Sequence, residues 1–199
     1  MTRYAHGRDV CLSMWADAYD SGLFDFPPNA RVLEIGCAEA DWMTPMLALR
    51  PDLDITGIDW RKVKRPGTIQ GDVLTADFAP ASFDCIVGIS SIEHIGLGHY
   101  ESDPTADDGD IRCMQRVAEW LTPGGWAYLD VPYNAAGYFV KGTKCRVYDD
   151  AATYTRLIPR PLSLSATWFA TRDGAPIQRL PVCAPDGFDY IALLLHKPL

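Results

Sequence analysis

Small and acidic residues follow successive predicted strands, at positions where side chains can hold a nucleoside. Gly36 and Ala38 follow a strand that carries Glu34, and small residues there let the backbone approach a ligand closely. Asp59 ends the next strand, where a carboxylate can accept hydrogen bonds from both hydroxyls of a ribose. Asp72 follows a third strand and can accept from an adenine amino group. Because the carboxyl ends of parallel strands meet at one edge of a sheet, we expect one pocket there.

The glycine content of the first turn separates two cofactor classes. A nicotinamide dinucleotide requires G-x-G-x-x-G around its pyrophosphate, and this turn has only Gly36 of those three glycines. S-adenosylmethionine has no phosphate, so the residues favour it as the cofactor. A nicotinamide-dependent nucleotide-sugar enzyme and a non-catalytic nucleoside-binding protein stay open as alternatives.

His94 follows the fourth predicted strand and is the preferred general base. An imidazole accepts a proton near neutral pH, and proton removal by a positioned base is worth about 10²–10⁴-fold in rate. The adjacent Glu93 is a second candidate for proton chemistry. A histidine that only caps the turn or supports other residues is the alternative interpretation.

Four other polar side chains are candidates for contacts with an acceptor molecule. His99 and Tyr100 lie on the loop that follows His94. Tyr133 and Asn134 come directly after the fifth predicted strand, where they can hydrogen-bond an acceptor hydroxyl. We count Tyr133 among the candidate catalytic residues and the other three among the substrate-binding residues.

The elements that position these residues alternate between strand and helix along most of the chain. This alternation predicts an α/β fold: a Rossmann-like, doubly wound, mostly parallel seven-stranded sheet with helices on both faces. The last strand is expected to be antiparallel. The predicted elements are a helical region over 3–24, strands at 31–35, 54–58, 68–70, 83–89, 126–131, 164–171 and 188–196, and helices at 41–49, 111–121 and from Asp149 or Asp150 to 157.

Length and composition are those of a single cytoplasmic domain. The 199 residues are expected to form an N-terminal helical region (1–29), a cofactor-binding core (30–134) and a C-terminal helix with strands (135–199). The polar N-terminus is unlike a signal peptide, and no apolar run approaches the roughly eighteen residues of a membrane helix. The six scattered cysteines form no CxxC pair and are expected to be reduced thiols.

The charge distribution disfavours a nucleic-acid substrate. A net charge of −8 is opposite in sign to the basic surface that phosphates require. The one basic run, 61–65, is interpreted as a solvated loop or, alternatively, as a contact with an anionic group of the cofactor or substrate. The acidic segment 101–110 is interpreted as a solvated loop, with a lid over the acceptor as the alternative.

Five segments together resemble the motifs of class I S-adenosylmethionine-dependent methyltransferases. The resemblance covers about residues 30–134, and an SSIEHIGLG motif with a later GD and VYD (147–149) resembles an uncharacterised bacterial subgroup. Some members of that subgroup are associated with surface-sugar biosynthesis. The segments are VLEIGCAEAD (32–41), ITGID (55–59), QGDV (70–73), FDCIVGISSIEHIGLGHY (83–100) and LTPGG (121–125).

This resemblance implies methyl transfer from S-adenosylmethionine to a small polar molecule such as a sugar. The implied cofactor-binding residues are Glu34, Gly36, Cys37, Ala38, Asp59, Trp60, Asp72, Val73 and Ser90. The family commonly has glycine where this chain has Ala38, which predicts a more open turn or weaker cofactor binding.

Two further motifs of the superfamily match only in part. Some relatives hold a divalent ion with E-x-x-E-H; here Ser90 replaces the first glutamate, so we predict no metal. Glu93, His94 and His99 remain the alternative ligand set. DVPYN (130–134) resembles the D-P-P-Y of amino-group DNA methyltransferases, but it follows the fifth strand and lacks the second proline.

Overall fold

The computed structural model describes residues 7–38, 42–99, 105–171 and 189–199. These ranges contain four helices and nine strands, and a single 3-10 turn, Ile92–His94, follows the fourth strand. The helices are α1 (Gly7–Asp20), α2 (Met43–Leu49), α3 (Gly109–Trp120) and α4 (Asp150–Leu157). The strands are β1 (Arg31–Ile35), β2 (Asp54–Asp59), β3 (Thr68–Gln70), β4 (Phe83–Gly88), β5 (Leu121–Tyr133), β6 (Phe139–Lys141), β7 (Cys145–Val147), β8 (Ser163–Ala170) and β9 (Asp189–His196).

Seven of the described strands form one sheet in the order β3-β2-β1-β4-β5-β9-β8. The five strands β1 to β5 run parallel, whereas β9 is antiparallel to both of its neighbours. The predicted mostly parallel seven-stranded sheet with an antiparallel last strand is therefore confirmed. The strand order reverses between β1 and β4, and a doubly wound sheet binds its ligands at the carboxyl ends next to that reversal.

Helices cover both faces of the sheet because alternate strand residues are apolar on each side. On one face, α1 and α2 pack against Val32, Cys85 and Tyr128. On the other, α3 and α4 pack against Leu33 and Ile86. The sheet thus forms a rigid middle layer, and the loops at its carboxyl edge are held by a core on either side.

An aromatic cluster centred on Trp15 attaches α1 to the sheet. Its ring lies edge-on to Trp42 and Tyr128, with centroid distances of 5.2 and 4.8 Å. Such edge-to-face pairs add about 0.5–1.5 kcal/mol each beyond the area they bury. This packing places the start of α1, including Arg8, at the edge of the cleft described below.

The C-terminal part of the chain differs from expectation in two places. Strand β5 continues through the Thr122–Gly125 turn signal, because Leu121 already pairs with Phe83 of β4. The hairpin of β6 and β7 was not predicted. The helix predicted from Asp149 is confirmed, and the Asp149 carboxylate accepts the backbone N–H of Ala152 as its N-cap.

The division into three regions stays a prediction, as does the turn predicted at 172–174, which lies outside the described residues. The five cysteines in the described ranges are all buried. None of the helices in those ranges has the length and apolarity that a membrane crossing requires.

Candidate active site

An open cleft with about 810 Å³ of space lies at the carboxyl ends of β1, β2 and β4. The turn after β1, the segment after β3 and the segment after β4 form its walls. The pocket expected from the strand ends is therefore present. Seven of the candidate residues line it: Gly36, Asp59, Trp60, Asp72, Val73, Ser90 and His94.

Two hydrogen bonds join the first turn to the end of β2. The N–H of Gly36 donates to the carbonyl oxygen of Ile58 at 2.9 Å, which continues the parallel pairing of β1 and β2. The N–H of Ala38 donates to Asp59 Oδ2, also at 2.9 Å. Asp59 is buried, with 6% of its surface exposed. The small residues and the carboxylate that were predicted to meet therefore do meet.

The Arg61 guanidinium occupies the remaining acceptor positions of Asp59. Arg61 Nε donates to Oδ1 at 3.1 Å and Nη2 donates to Oδ2 at 3.3 Å, while the Arg61 backbone N–H donates to Oδ1 at 2.8 Å. A carboxylate offers about four acceptor sites, and two backbone amides with two guanidinium N–H groups fill them. Ribose hydroxyls therefore reach this carboxylate only when the half-buried Arg61 side chain moves aside.

The basic run 61–65 is partly solvated and partly paired with groups of the protein itself, so its predicted contact with an anionic group of the cofactor or substrate stays a prediction. Lys62 and Lys64 are exposed, as a solvated loop requires. Arg65 turns inward and donates to the carbonyl oxygen of Cys37, and its guanidinium lies 3.8 Å from Glu34. Arg65 therefore braces the first turn from behind the cleft.

Glu34 and Cys37 shape that turn without lining the cleft. Glu34 is buried beneath the turn with 1% exposure. The Cys37 side chain faces β2 so closely that a Cβ on Gly57 would lie 2.8 Å from its sulfur. Burial raises the pKa of the Cys37 thiol to about 11, with Glu34 as the next largest cause. A thiol that stays protonated at neutral pH packs as a small apolar group.

Gly36 has both a backbone conformation and a contact that exclude other residues. Its φ is +81°, and an added Cβ would lie 2.4 Å from Ser91 Oγ. We expect Gly36→Ala to lower the free energy of unfolding by roughly 2–5 kcal/mol, from left-handed strain and overpacking together. Gly22 is the matched control, because its φ is +69° but no atom lies within 4 Å of its added Cβ.

For Gly22→Ala only the strain of roughly 1–2 kcal/mol is expected. Denaturant unfolding of both variants measures the difference, with the denaturant dependence of the free energy unchanged. Equal losses in the two variants would show that Ser91 yields and that the close approach has no energetic consequence.

The end of the cleft that was predicted to hold adenine is formed by the segment after β3. Asp72 Oδ1 accepts the N–H of Leu74 at 2.9 Å, which fixes the loop. Val73 is buried with 7% exposure, and its side chain borders the cleft beside Trp60. The pocket wall here is apolar with one carboxylate, a combination that suits a flat base with an exocyclic amino group.

Ser90 sits in a strained conformation where β4 enters the cleft. Its φ is +47°, which a non-glycine residue adopts at a cost of about 1–3 kcal/mol when its surroundings enforce it. The Ser90 N–H donates to Asp130 Oδ1 at 2.8 Å, and its hydroxyl donates to Glu93 Oε1 at 3.1 Å. Two buried carboxyl groups thus hold the strained residue from both sides.

Asp130 is a site residue that the sequence interpretation missed. It lies within β5 with no exposed surface, and burial raises its pKa to about 7. Burial also raises the pKa of Glu93. An aspartate in the middle of the apolar segment WAYLDV was the available signal, because charged residues are buried mainly where they have a specific partner.

The raised pKa of Asp130 has a consequence for stability. At a pH below the pKa that Asp130 has in the unfolded chain, its carboxyl group is protonated in both the folded and the unfolded protein. As the pH rises from there towards about 7, only the unfolded chain loses this proton. Stability therefore falls across that window, by about 1.4 kcal/mol for each pH unit in the limit of a single isolated group. We expect Asp130→Asn to remove this fall, so that the variant gains stability relative to the wild type between about pH 4.5 and about pH 7.5.

Thermal unfolding at both pH values measures this difference. Asp52→Asn is the control: hydrogen bonds from Arg50 hold the pKa of Asp52 below its usual value, so Asp52 titrates below this window and the difference from the wild type should be the same at both pH values. A difference between Asp130→Asn and the wild type that is the same at both pH values would contradict the assignment.

His94 lines the cleft after β4, and both of its ring nitrogens lie near protein groups. Nδ1 contacts the carbonyl oxygen of Lys144, which can only accept, so Nδ1 carries the hydrogen. Nε2 lies 3.5 Å from Glu93 Oε1, an ion-pair distance that is too long for a hydrogen bond. The His99 ring stacks on His94 with centroids 4.9 Å apart. His94 therefore presents a basic nitrogen beside a buried carboxyl group.

Two predicted acceptor contacts are placed elsewhere by the structure. Tyr133 is fully buried and donates its hydroxyl to Asp150 at 2.8 Å, because β5 continues to this residue and carries it into the core beside α4. Asn134 is also buried, and its side-chain oxygen accepts the N–H of Ala136. Neither residue lines the cleft, so the structure does not bring them beside His94, and their predicted role at the acceptor stays a prediction. His99 stacks on His94 and does not line the cleft, and Tyr100 lies outside the described residues.

The metal alternative finds no support in the described ranges. There, no three histidine, cysteine, aspartate or glutamate side chains are grouped closely enough to hold an ion. Glu93 is instead hydrogen-bonded to Ser90 and His94 is turned to Lys144.

Solved structures with this fold include several methyltransferases. The 1,6-didemethyltoxoflavin-N1-methyltransferase of Burkholderia thailandensis, with bound S-adenosylhomocysteine, is 14% identical, covers 100% of this chain and 93% of its own, and has a TM-score of 0.62. Coclaurine N-methyltransferase, bound to N-methylheliamine and S-adenosylhomocysteine, is 9% identical over 94% and 72% of the two chains, with a TM-score of 0.67. The [4+2]-cyclase SpnF is 14% identical over 94% and 81%, with a TM-score of 0.63.

At these identities the likeness establishes the fold, and the family follows from the sequence itself. No curated protein matches the chain at a significant level. The sequence model of the methyltransferase domain family matches residues 4–165, which includes every strand end that forms the cleft. The methyltransferase class predicted from the strand-end motifs is thereby confirmed: the chain belongs to the methyltransferase domain family.

Proposed function

We propose that this protein transfers a methyl group from S-adenosylmethionine to a small polar acceptor, such as a sugar, bound beside His94. The observation that carries the proposal is the hydrogen bond from the Ala38 N–H to Asp59. It brings the small-residue turn and the ribose carboxylate to one cleft, and His94 lies in the same cleft.

The residues of the cleft fit the parts of this cofactor. Asp59 would accept the ribose hydroxyls after Arg61 moves, and Asp72 and Val73 would hold the adenine. Gly36 and Ser90 would lie next to the methionine portion of the cofactor. A larger residue at position 36 would not fit there, because a Cβ on Gly36 would collide with the Ser91 side chain. S-adenosylhomocysteine bound in two neighbours of the same fold is consistent with this assignment.

The acceptor end supplies alignment and a proton acceptor. The cofactor, when bound, supplies a methyl group that is already activated by the sulfonium. The protein then has to align the acceptor, worth up to roughly 7–11 kcal/mol, and to take up its proton. His94 Nε2 would receive that proton, and the Glu93 carboxyl group at 3.5 Å would favour the resulting positive charge.

A small acceptor suits the charge of the molecule. The net charge of −8 opposes a nucleic-acid acceptor. Two of the neighbours are named as N-methyltransferases of small molecules, which supports the same class here.

Calorimetry tests the cofactor half of the proposal. We expect S-adenosylmethionine and S-adenosylhomocysteine to bind the wild-type protein with one site each, and NAD⁺ to give no heat. Binding of NAD⁺ without either sulfur nucleoside would overturn the proposal in favour of a nicotinamide enzyme.

A turnover assay tests the methyl-transfer half. SpnF, which has this fold, is named as a [4+2]-cyclase, so binding of S-adenosylmethionine alone does not prove methyl transfer. Radiolabelled methyl from S-adenosylmethionine should appear in members of a panel of sugars, amines and phenols. Tight cofactor binding with no transfer to any member would favour the non-catalytic nucleoside-binding protein.

A further inference from the structure

A fully buried arginine lies behind the His94 loop. Arg146, on β7, has no exposed surface. Its Nη1 donates to the carbonyl oxygen of Ile95 at 2.7 Å and to that of Glu93 at 3.4 Å. These are the two carbonyl groups on either side of His94, so one guanidinium fixes the backbone in which this histidine sits.

The same side chain ties this loop to the start of α3. Arg146 Nη2 donates to the carbonyl oxygens of Ala106 and Asp107, and Nε lies 3.4 Å from Asp110 Oδ1. A buried charge is costly unless it is paired and hydrogen-bonded, and here the two Nη groups donate to four carbonyl oxygens while Asp110 supplies the opposite charge. The arrangement is built around the geometry of a guanidinium and not only around its charge.

The β6–β7 hairpin contacts the ring of His94 as well as its backbone. Lys144, two residues before Arg146 on the same hairpin, provides the carbonyl oxygen that accepts from His94 Nδ1. Lys144 itself is held in the turn by its N–H, which donates to Lys141. Backbone and ring of His94 are therefore fixed by neighbouring residues of one rigid element.

We infer that Arg146 is a positioning residue for His94: it locks the loop of residues 93–95 against the hairpin, so that the imidazole keeps Nδ1–H on Lys144 and its basic Nε2 beside Glu93. The inference deepens the proposed function, because it concerns the base of that reaction. It assigns to Arg146 no contact with substrate or cofactor.

The tautomer of His94 tests the inference without a known acceptor. The chain has four histidines, so long-range ¹H–¹⁵N spectra are simple, and the His94 signals are assigned by their loss in His94→Gln. The wild type should show a protonated Nδ1 and an unprotonated Nε2 with well-separated nitrogen shifts. In Arg146→Lys we expect the two shifts to converge, because a point-like ammonium cannot hold both flanking carbonyl groups.

Arg156→Lys is the matched control. Arg156 also binds Asp110, through Nε and Nη2 at 2.7 Å each, and its remaining hydrogen bond goes to Asp107. It should leave the His94 shifts as in the wild type. An unchanged tautomer in folded Arg146→Lys, or the same change in Arg156→Lys, overturns the inference.

A second variant covers the case in which Arg146→Lys does not fold. Arg146→Met fills a similar volume, and Asp110 keeps Arg156 and the Tyr148 hydroxyl as partners, so no lone charge is left buried. The same convergence of shifts is expected. Failure of both variants to fold also overturns the inference, since Arg146 would then support the whole domain and not this loop.

S-adenosylhomocysteine binding separates this result from the proposed function. All three variants should bind it within about threefold of the wild type, because Arg146 and Arg156 lie outside the cleft. A wild type that does not bind S-adenosylhomocysteine would defeat the proposed function, whereas the tautomer measurement would still decide the role of Arg146.

Discussion

Replacing His94 with glutamine is expected to lower methyl transfer by roughly 10²–10⁴-fold, the usual contribution of a positioned general base. The Lys144 carbonyl oxygen keeps the hydrogen on Nδ1, which leaves Nε2 as the basic nitrogen of a residue that lines the cleft. Glutamine can still donate to Lys144 and fill the space, but it cannot take up a proton. The measurement is transfer of labelled methyl to whichever panel member the wild type methylates best, together with calorimetry of S-adenosylhomocysteine.

The affinity for S-adenosylhomocysteine should stay close to that of the wild type, because the cofactor is held at the Asp59 and Asp72 end. His196→Gln is the matched control: His196 pairs with Trp126 at the amino end of β5, on the opposite edge of the sheet. Full turnover by His94→Gln would show that another group removes the proton. The family assignment would stand in that case, since it rests on the whole match over residues 4–165.

Most of the first half of the fold was predictable because β1, β2 and β4 are largely buried, and buried strands appear as short apolar runs whatever their packing partners are. Strands β1 and β3 have the predicted bounds, although β3 is largely exposed, and β2 and β4 differ by one residue at the end. The order of motifs then placed Gly36 and Asp59 at neighbouring strand ends without any information on side-chain contacts.

The rest of the site depends on contacts between residues far apart in sequence. Tyr133 and Asn134 follow a strand, as Asp59 does, but β5 continues further than its apolar segment suggests and carries both into the core. Arg146 lies on a strand of three residues and donates to the carbonyl oxygen of Ile95, which is 51 residues away in the sequence. No periodicity records such a contact, and a lone arginine in a polar segment is usually a solvated side chain.

The partner of Asp59 was also invisible in the sequence. A basic run after β2 indicated either a solvated loop or an anion contact, and Arg61 instead pairs with the protein's own carboxylate. In consequence the residue expected to bind ribose is already hydrogen-bonded in the structure. Asp59 either serves only to hold Arg61, or binds ribose and pairs with Arg61 when no cofactor is bound. Two variants distinguish these roles.

Asp59→Asn should weaken S-adenosylhomocysteine binding by about 100-fold or more, because hydrogen bonds to a charged acceptor contribute about 1.5–3 kcal/mol each and ribose offers two hydroxyls. The amide has one acceptor oxygen and no charge. It can still accept from the Ala38 N–H, so the turn should keep its shape. Calorimetry measures the affinity, and thermal unfolding checks that the variant is folded.

Arg61→Ala is the variant that decides between the two roles of Asp59. If the carboxylate binds ribose, removal of Arg61 uncovers it, and the affinity for S-adenosylhomocysteine should stay at the wild-type value or increase. If Asp59 serves only to hold Arg61, both variants break the same ion pair and should weaken binding alike. If Asp59→Asn weakens binding and Arg61→Ala does not, Asp59 is a ribose carboxylate that Arg61 covers until the cofactor binds. Only in that case do the Arg61 guanidinium and the ribose hydroxyls compete for the same oxygen lone pairs of Asp59.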